Sequence, residues 1–298
     1  MDLTLWAPAK VNLFLEVLRK RADGYHEVQT LLQHVDLCDE IRFAEGARIV
    51  VETNGLACPG GEENLAHRAA TLFFKTTGIR PGVRIEITKR IPLGAGLGGG
   101  SSDAAATLWG LNRLFATGLT SRVLQDLGAH LGSDVPLFFG GPTVWASGRG
   151  EQIRPLPAFP RSWLLIVFPG FPVSTAWAYA NLELTGEDKS LRVRTEAEKG
   201  NYERVLASSW NRLEEVVFRR YPVVKQLKVS LEAWGARPAL MTGSGSAVFG
   251  RMHAREEAEG WAARLGEEGY TVFVVQTLSR PPLAPGGIGE MGPERSSC

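Results

Sequence analysis

From Lys10 to Arg19 the chain alternates: Val11, Leu13, Leu15 and Val17 share one face, and Lys10, Asn12, Phe14 and Glu16 share the other. A period of two predicts a strand. Arg21-Ala22-Asp23-Gly24 follows, and its Asp-Gly pair predicts a hairpin turn. The return strand should start near Tyr25-His26 and run toward His34. Shorter strands fit Glu40 to Phe43 and Ala47 to Glu52. Several strands ahead of any helix predict an antiparallel sheet and the α+β class.

The period then changes. Leu65, Ala69, Leu72 and Phe73 recur at helical spacing, so Glu62 to Thr77 is expected to be a helix. Val83, Ile85 and Ile87 alternate with Arg84, Glu86 and Thr88, the mark of a half-exposed strand. Helices are predicted for Ser101 to Ala116, with cap chemistry from Ser101, Ser102 and Asp103, and for Ser121 to Leu131. Thr143 to Ser147 and Gln152 to Leu156 fit weaker strands. Prolines 155, 157 and 160 mark the expected boundary between a domain at 1–157 and one at 158–280. Beyond it come a buried strand, Trp163 to Phe168, and helices at Thr175 to Leu184, Tyr202 to Arg219 and Val223 to Trp234. Two strands, Ala239 to Thr242 and Ala247 to Arg251, flank a Gly-Ser-Gly-Ser turn. A helix, Arg255 to Leu265, and a strand, Tyr270 to Gln276, close the pattern. Residues 281–298, rich in Pro and Gly and without periodicity, are expected to form a disordered tail.

The densest chemical signal lies between the half-exposed strand and the next helix. It reads Pro92, Leu93, Gly94, Ala95, Gly96, Leu97, Gly98, Gly99, Gly100, Ser101, Ser102. Glycine lets backbone approach a ligand and turn N–H groups toward it. A helix opening at Ser101 adds free N–H groups and the positive end of its dipole, a combination suited to phosphate. The segment has no lysine, which excludes a P-loop. Gly94, Gly96 and Gly99 match GxGxxG, but a second helix follows where a dinucleotide fold requires a buried strand ending in an acid. A flexible glycine linker is the remaining plain reading. Its position between a strand and a capped helix speaks against that.

Composition narrows the partner. A formal net charge of +1 provides no electrostatic footprint for nucleic acid. With 44% apolar residues the chain can build a sizeable core. Three scattered cysteines, Cys38, Cys58 and Cys298, form no disulfide framework or CxxC pair. The opening Met1-Asp2-Leu3-Thr4 lacks the features of a signal peptide, and the apolar run Trp163 to Phe168 is too short to span a bilayer. A cytoplasmic protein without a membrane partner is expected, monomeric or weakly dimeric.

Other polar positions admit two readings each. Lys10 and Asn12 share a strand face, with Tyr25 and His26 just past the turn; each alone is an ordinary strand lysine or satisfied histidine. Asp134, in Gly132-Ser133-Asp134-Val135-Pro136, is either a cap or a carboxylate that orients an attacking hydroxyl, with Lys10 as its cationic partner. Thr242-Gly243-Ser244-Gly245-Ser246 is either a plain turn or a close backbone approach to a ligand.

Taken in order, Ala-Lys-Val-Asn-Leu, Asp-Gly-Tyr-His, Gly-Leu-Gly-Gly-Gly-Ser-Ser-Asp-Ala-Ala and Gly-Ser-Asp-Val-Pro resemble the superfamily of galactokinase, homoserine kinase, mevalonate kinase and phosphomevalonate kinase. Within it the chain is most similar to the kinases that act on 4-diphosphocytidyl-2-C-methyl-D-erythritol in non-mevalonate isoprenoid biosynthesis. The resemblance runs from about Leu5 to about Leu278. It implies an N-terminal domain like the second domain of ribosomal protein S5, a ferredoxin-like C-terminal domain, and an active site between them. It also implies ATP and Mg²⁺, with γ-phosphoryl transfer to the erythritol 2-hydroxyl. Carried over, Lys10 and Asp134 are catalytic, and Pro92 to Ser102 hold the ATP phosphates. Asn12 holds the reacting part of the substrate. His26 reads the cytosine edge, with Tyr25 and Tyr179 as its aromatic faces and Thr175 beside them. Asn64 and Lys89 are expected at the nucleoside of ATP. No glutamate corresponds to the one that helps hold Mg²⁺ in some members, so the metal ligands are unassigned. Two alternatives stay open: a superfamily kinase for another small alcohol, and a catalytically silent sensor.

Overall fold

The computed structural model describes residues 3–80, 82–184, 186, 188–283, 286 and 288–291. Strands β1 (Leu3–Lys20) and β2 (His26–Glu45) form the expected hairpin, in register from Lys20 opposite His26 to Leu3 opposite Phe43. Both are far longer than periodicity predicts. The separate strand expected at Glu40 to Phe43 is the end of β2, because buried Val35 and Cys38 carry the strand through without a break. That length lets β2 serve two neighbours. Its end pairs with β4 (Val83–Lys89), and its start pairs with β5 (Thr143–Gly148). Parallel β3 (Ile49–Gly55) flanks β4, and β6 (Gln152–Pro155) flanks β5.

Helices α1 (Leu65–Thr77), α2 (Gly99–Leu114) and α3 (Ser121–Leu131) cover this sheet. From Ser102 to Asn112 every residue of α2 is buried, so α2 is the central rod of the core. Phe43, Phe73, Ile85, Leu108 and Phe138 meet around it.

After Pro155 the chain enters a second, antiparallel sheet at β7 (Trp163–Phe168). Its other strands are β9 (Ala239–Met241), β10 (Val248–Met252) and β11 (Thr271–Gln276), in the order β11-β7-β10-β9. Helices α8 (Pro222–Ala233) and α9 (Arg255–Glu267) pack on it. The two strands predicted around the Gly-Ser-Gly-Ser turn are β9 and β10, and the whole is the expected α+β architecture.

Three expectations need correction. The helix predicted from Thr175 to Leu184 stops at Ala180 as α4 (Thr175–Ala180), and a helix without a clear sequence signal, α5 (Ser190–Glu198), follows. The helix predicted over Tyr202 to Arg219 is α6 (Tyr202–Ala207), β8 (Trp210–Asn211) and α7 (Glu214–Arg220). It breaks because Trp210 and Asn211 pair with Phe14 and Leu15 of β1, lending a strand to the first sheet. Finally, part of the expected tail, 281–283, 286 and 288–291, is described, and it makes contacts with the first half. Leu283 is buried in the first core, and the short α10 (Ile288–Met291) packs on β1, with an ion pair between Arg113 and Glu290. Residues 292–298, with Cys298, lie outside the described residues. No described helix is long and apolar enough to cross a membrane.

His34 of β2 is fully buried, its ring 5.0 Å from that of Phe138 and its Nδ1–H donating to Pro142 O at 3.2 Å. Burial pulls its pKa down to about 4, opposed by the carbonyls of Pro142 and Gly141. A base held neutral in the fold but free to charge when unfolded stabilises the protein above about pH 6.5. That stability is lost as pH falls toward 4. His34→Phe should therefore flatten the acid limb, by up to about 3 kcal/mol at its end. Urea unfolding at pH 4, 5 and 7 measures this; parallel losses in both proteins would refute it.

Candidate active site

The glycine-rich segment leaves β4 and is fixed by side chains that point into the core: Ile91, Ala95 and Leu97 are buried. Backbone bonds hold it on both sides. Lys10 N of β1 donates to Leu97 O (3.0 Å), while Val173 N and Ala247 N from the second half donate to Gly94 O (3.2 Å) and Ala95 O (3.1 Å). Gly94, Gly96 and Gly98 have φ of 65°, 79° and 75°, a region that favours glycine. At Gly96 space also matters, since a Cβ would fall 2.0 Å from Thr242 O.

The helix after this loop starts two residues early. Gly98 is the N-cap of α2, so Ser101, Ser102 and Asp103 do not cap it: the two serines lie in its first turn and Asp103 just beyond it. Early initiation aims more backbone N–H groups at the loop's concavity. Ser101 lines the cavity formed there. Ser102 is fully buried, and its Oγ has no partner among the described residues.

That cavity, about 260 Å³, joins the loop to Lys10, Asn12, Asp134, Gly243 and Ser244. The Lys10 ammonium is 2.7 Å from both Asn12 Oδ1 and Gly96 O. An ammonium has three donors, so one N–H remains for a ligand. Burial lowers the Lys10 pKa, and nearby Asp134 opposes this. Asn12 acts chiefly as a brace. Its Oδ1 takes Lys10, its Nδ2 donates to Thr30 Oγ1 (2.9 Å), and its backbone N–H donates to Thr242 Oγ1 (3.2 Å). Asp134 precedes a 3-10 turn at Val135–Phe139 but makes no side-chain cap bond, so the capping role does not occupy it.

A second cavity, about 420 Å³, opens beside the first and is lined by Tyr25, His26, Tyr179 and Thr175. His26 and Tyr179 rings lie 5.2 Å apart, and Tyr25 is 53% exposed. Partial burial and the charge of Lys20 lower the His26 pKa, favouring a neutral imidazole. Burial and Asp134 raise that of the Tyr179 phenol. The Thr175 hydroxyl is 2.8 Å from Ser244 Oγ. Asp134, Thr175 and Tyr179 line both cavities, and so does Arg149, which carries no motif signal.

Asn64 and Lys89 have structural duties instead of free side chains. Asn64 is the N-cap of α1, accepting from Ala66 N at 2.8 Å and donating to Pro59 O at 2.9 Å. Lys89 is buried between Asp39 and Asp103. Burial disfavours its charge, but the two carboxylates outweigh this and raise its pKa. The same burial, reinforced by Asp39, pushes the Asp103 pKa up despite Lys89. Asp39 Oδ1 also accepts from Arg90 N (2.5 Å) and Ile91 N (2.9 Å), so the cluster ties β2, the start of the loop and α2 together beside the first cavity, which Lys89 also lines.

Comparison with known proteins agrees with this geometry. Residues 64–141 match the N-terminal domain of the GHMP kinases, and residues 189–271 match their C-terminal domain. The 4-diphosphocytidyl-2-C-methyl-D-erythritol kinase of Geobacter metallireducens is 47% identical over 283 residues, covering 93% of this chain and 99% of that protein. The chain belongs to this kinase family. A crystal structure of 4-(cytidine 5'-diphospho)-2C-methyl-D-erythritol kinase superposes with a TM-score of 0.78 at 36% identity, over 92% of this chain and 99% of that one. Homoserine kinase from Cytophaga hutchinsonii shares the fold alone, with a TM-score of 0.71 at 20% identity over 94% and 95% of the two chains.

Gly96→Ala should break the dock between the loop and Thr242. The expected cost is about 2 kcal/mol or more in stability, with ATP affinity reduced at least about tenfold. Thermal unfolding and nucleotide titration measure the two effects. An unchanged variant would show that the close contact carries neither.

Proposed function

We infer that the protein phosphorylates the 2-hydroxyl of 4-diphosphocytidyl-2-C-methyl-D-erythritol with ATP, giving the 2-phosphate and ADP for isoprenoid biosynthesis. Family membership carries the reaction. One observation supports its placement: a cavity walled by the glycine-rich loop, Lys10 and Asp134 adjoins an aromatic cavity holding Tyr25, His26 and Tyr179. The first suits phosphoryl transfer and the second a nucleobase. Homoserine or mevalonate would need no such aromatic cavity.

In this reading the loop and the first turn of α2 receive the ATP phosphates. Their N–H groups are already oriented, so little reorganisation accompanies charge development. Lys10 directs its free N–H at the transferring phosphoryl group. Asp134 accepts a hydrogen bond from the 2-hydroxyl and takes its proton as the new P–O bond forms. Burial disfavours the Lys10 charge and the Asp134 carboxylate favours it; bound phosphate oxygens would favour the ammonium further. His26 reads the cytosine edge, while Tyr25 and Tyr179 flank its faces and Thr175 lies beside them.

No group of three or more His, Cys, Asp or Glu that could hold a metal exists among the described residues. Mg²⁺ keeps waters and binds largely through substrate phosphates with one or two protein oxygens. Asp134 and Ser101, among the side-chain oxygens on the cavity wall, would fit it. When bound, the ion would neutralise charge on the ATP phosphates.

Asp134→Asn should lower turnover by about a hundredfold or more, leaving ATP affinity within about threefold. Single-turnover kinetics with nucleotide titration test this. Full turnover would remove Asp134 from the mechanism. His26→Ala should raise KM for the cytidyl substrate about tenfold while KM for ATP stays nearly constant; equal shifts in both would sink the base-reading role.

A further inference from the structure

The two cavities meet at Asp134, Thr175, Tyr179 and Arg149. With cytosine in one and the reacting hydroxyl in the other, the diphosphate joining them must cross that junction. It would pass the Asp134 carboxylate, so a cation is needed to offset the repulsion. Lys10 is directed to the transferring group, and Lys89 is buried between two carboxylates. Lys20 lines only the aromatic cavity. Arg149 is the cation at the junction itself.

Its position is built into the fold. Arg149 lies at the turn between β5 and β6, between Gly148 and Gly150, and its backbone N–H donates to Glu151 Oε2 at 2.7 Å. The turn packs on the catalytic carboxylate: a Cβ at Gly150 would lie 3.8 Å from Asp134 Oδ1. The guanidinium lies over the Tyr25 ring, 4.9 Å from its centroid, and its Nε is 3.8 Å from Glu151 Oε2, beyond hydrogen-bond length. Stacking uses the face of a guanidinium and leaves its in-plane N–H fork for acceptors. Such a fork matches two phosphate oxygens.

We propose that Arg149 is a specificity residue that binds the diphosphate of the cytidyl substrate, so that the site selects cytidine carrying a diphosphate over cytidine alone. The proposal rests on the reading of the aromatic cavity as the cytosine site. Calorimetric titration of cytidine and of CDP into the full-length protein, its Arg149→Gln variant and its Arg149→Lys variant tests it, with KM for ATP and thermal unfolding as controls. The unsubstituted protein should prefer CDP. Arg149→Gln should lose roughly ten- to a hundredfold of that preference, Arg149→Lys should recover part of it, and cytidine affinity and KM for ATP should change less than about threefold. If Arg149→Gln keeps the preference, the proposal fails. If cytidine and CDP affinities fall together, Arg149 only holds Tyr25 in place, and the proposal also fails. If the unsubstituted protein binds neither compound, the cytosine reading fails, and the proposal that rests on it fails with it.

Discussion

The Gly96 carbonyl ties the whole site together. It accepts from Lys10 Nζ of the first sheet at 2.7 Å and lies 3.1 Å from Thr242 Oγ1 of the second half. Glycine is required there because the approach leaves no room for a Cβ. The glycine-rich loop is therefore a keystone between two layers and not a flap on one of them. Its fixed carbonyl also holds the Lys10 ammonium, so geometry for binding and for chemistry comes from one contact. The buried cluster of Lys89, Asp39 and Asp103 supports the same loop from below. Removing one member of such a cluster strands an uncompensated buried charge.

The two halves also exchange structure. Strand β8 adds to the first sheet beside β1, and Asn211 within it donates to Met241 O (2.6 Å) and Gly243 O (2.9 Å). One asparagine thus shapes the small-residue turn that lines the first cavity. Family membership and site geometry meet here, since the residues that match the family's motifs are those brought around this turn and the loop.

Much was legible in the sequence. Period-two alternation and the Asp-Gly turn located the β1–β2 hairpin, because successive strand side chains point to opposite faces and a tight turn needs a residue at positive φ; that both faces of β1 are buried from Ala7 to Val17 was not legible. The glycine run located one wall of the first cavity, because backbone cannot approach a ligand closely past bulky side chains. Linear motifs also named Lys10, Asp134, Tyr25 and His26, which the fold gathers around two adjoining cavities.

Tertiary packing decided the rest. The start of α2 moved to Gly99 because the loop, held by Leu97 and Ala95, turns into the helix at Gly98, whose left-handed conformation places the N-cap ahead of any serine. Lys89 became a buried partner of two carboxylates that lie elsewhere in the chain, while Asn64 caps α1 through the neighbouring Ala66. The predicted helix at Tyr202 to Arg219 broke because β1 offered an open edge, and Leu283 was drawn into the core by a neighbour no local pattern reveals. Arg149 carries no motif. Its place between the cavities exists only once β5, β6 and Asp134 are assembled. Local periodicity and backbone sterics are written along the chain. Which buried charge finds which partner depends on contacts between distant segments, and only the folded structure decides it.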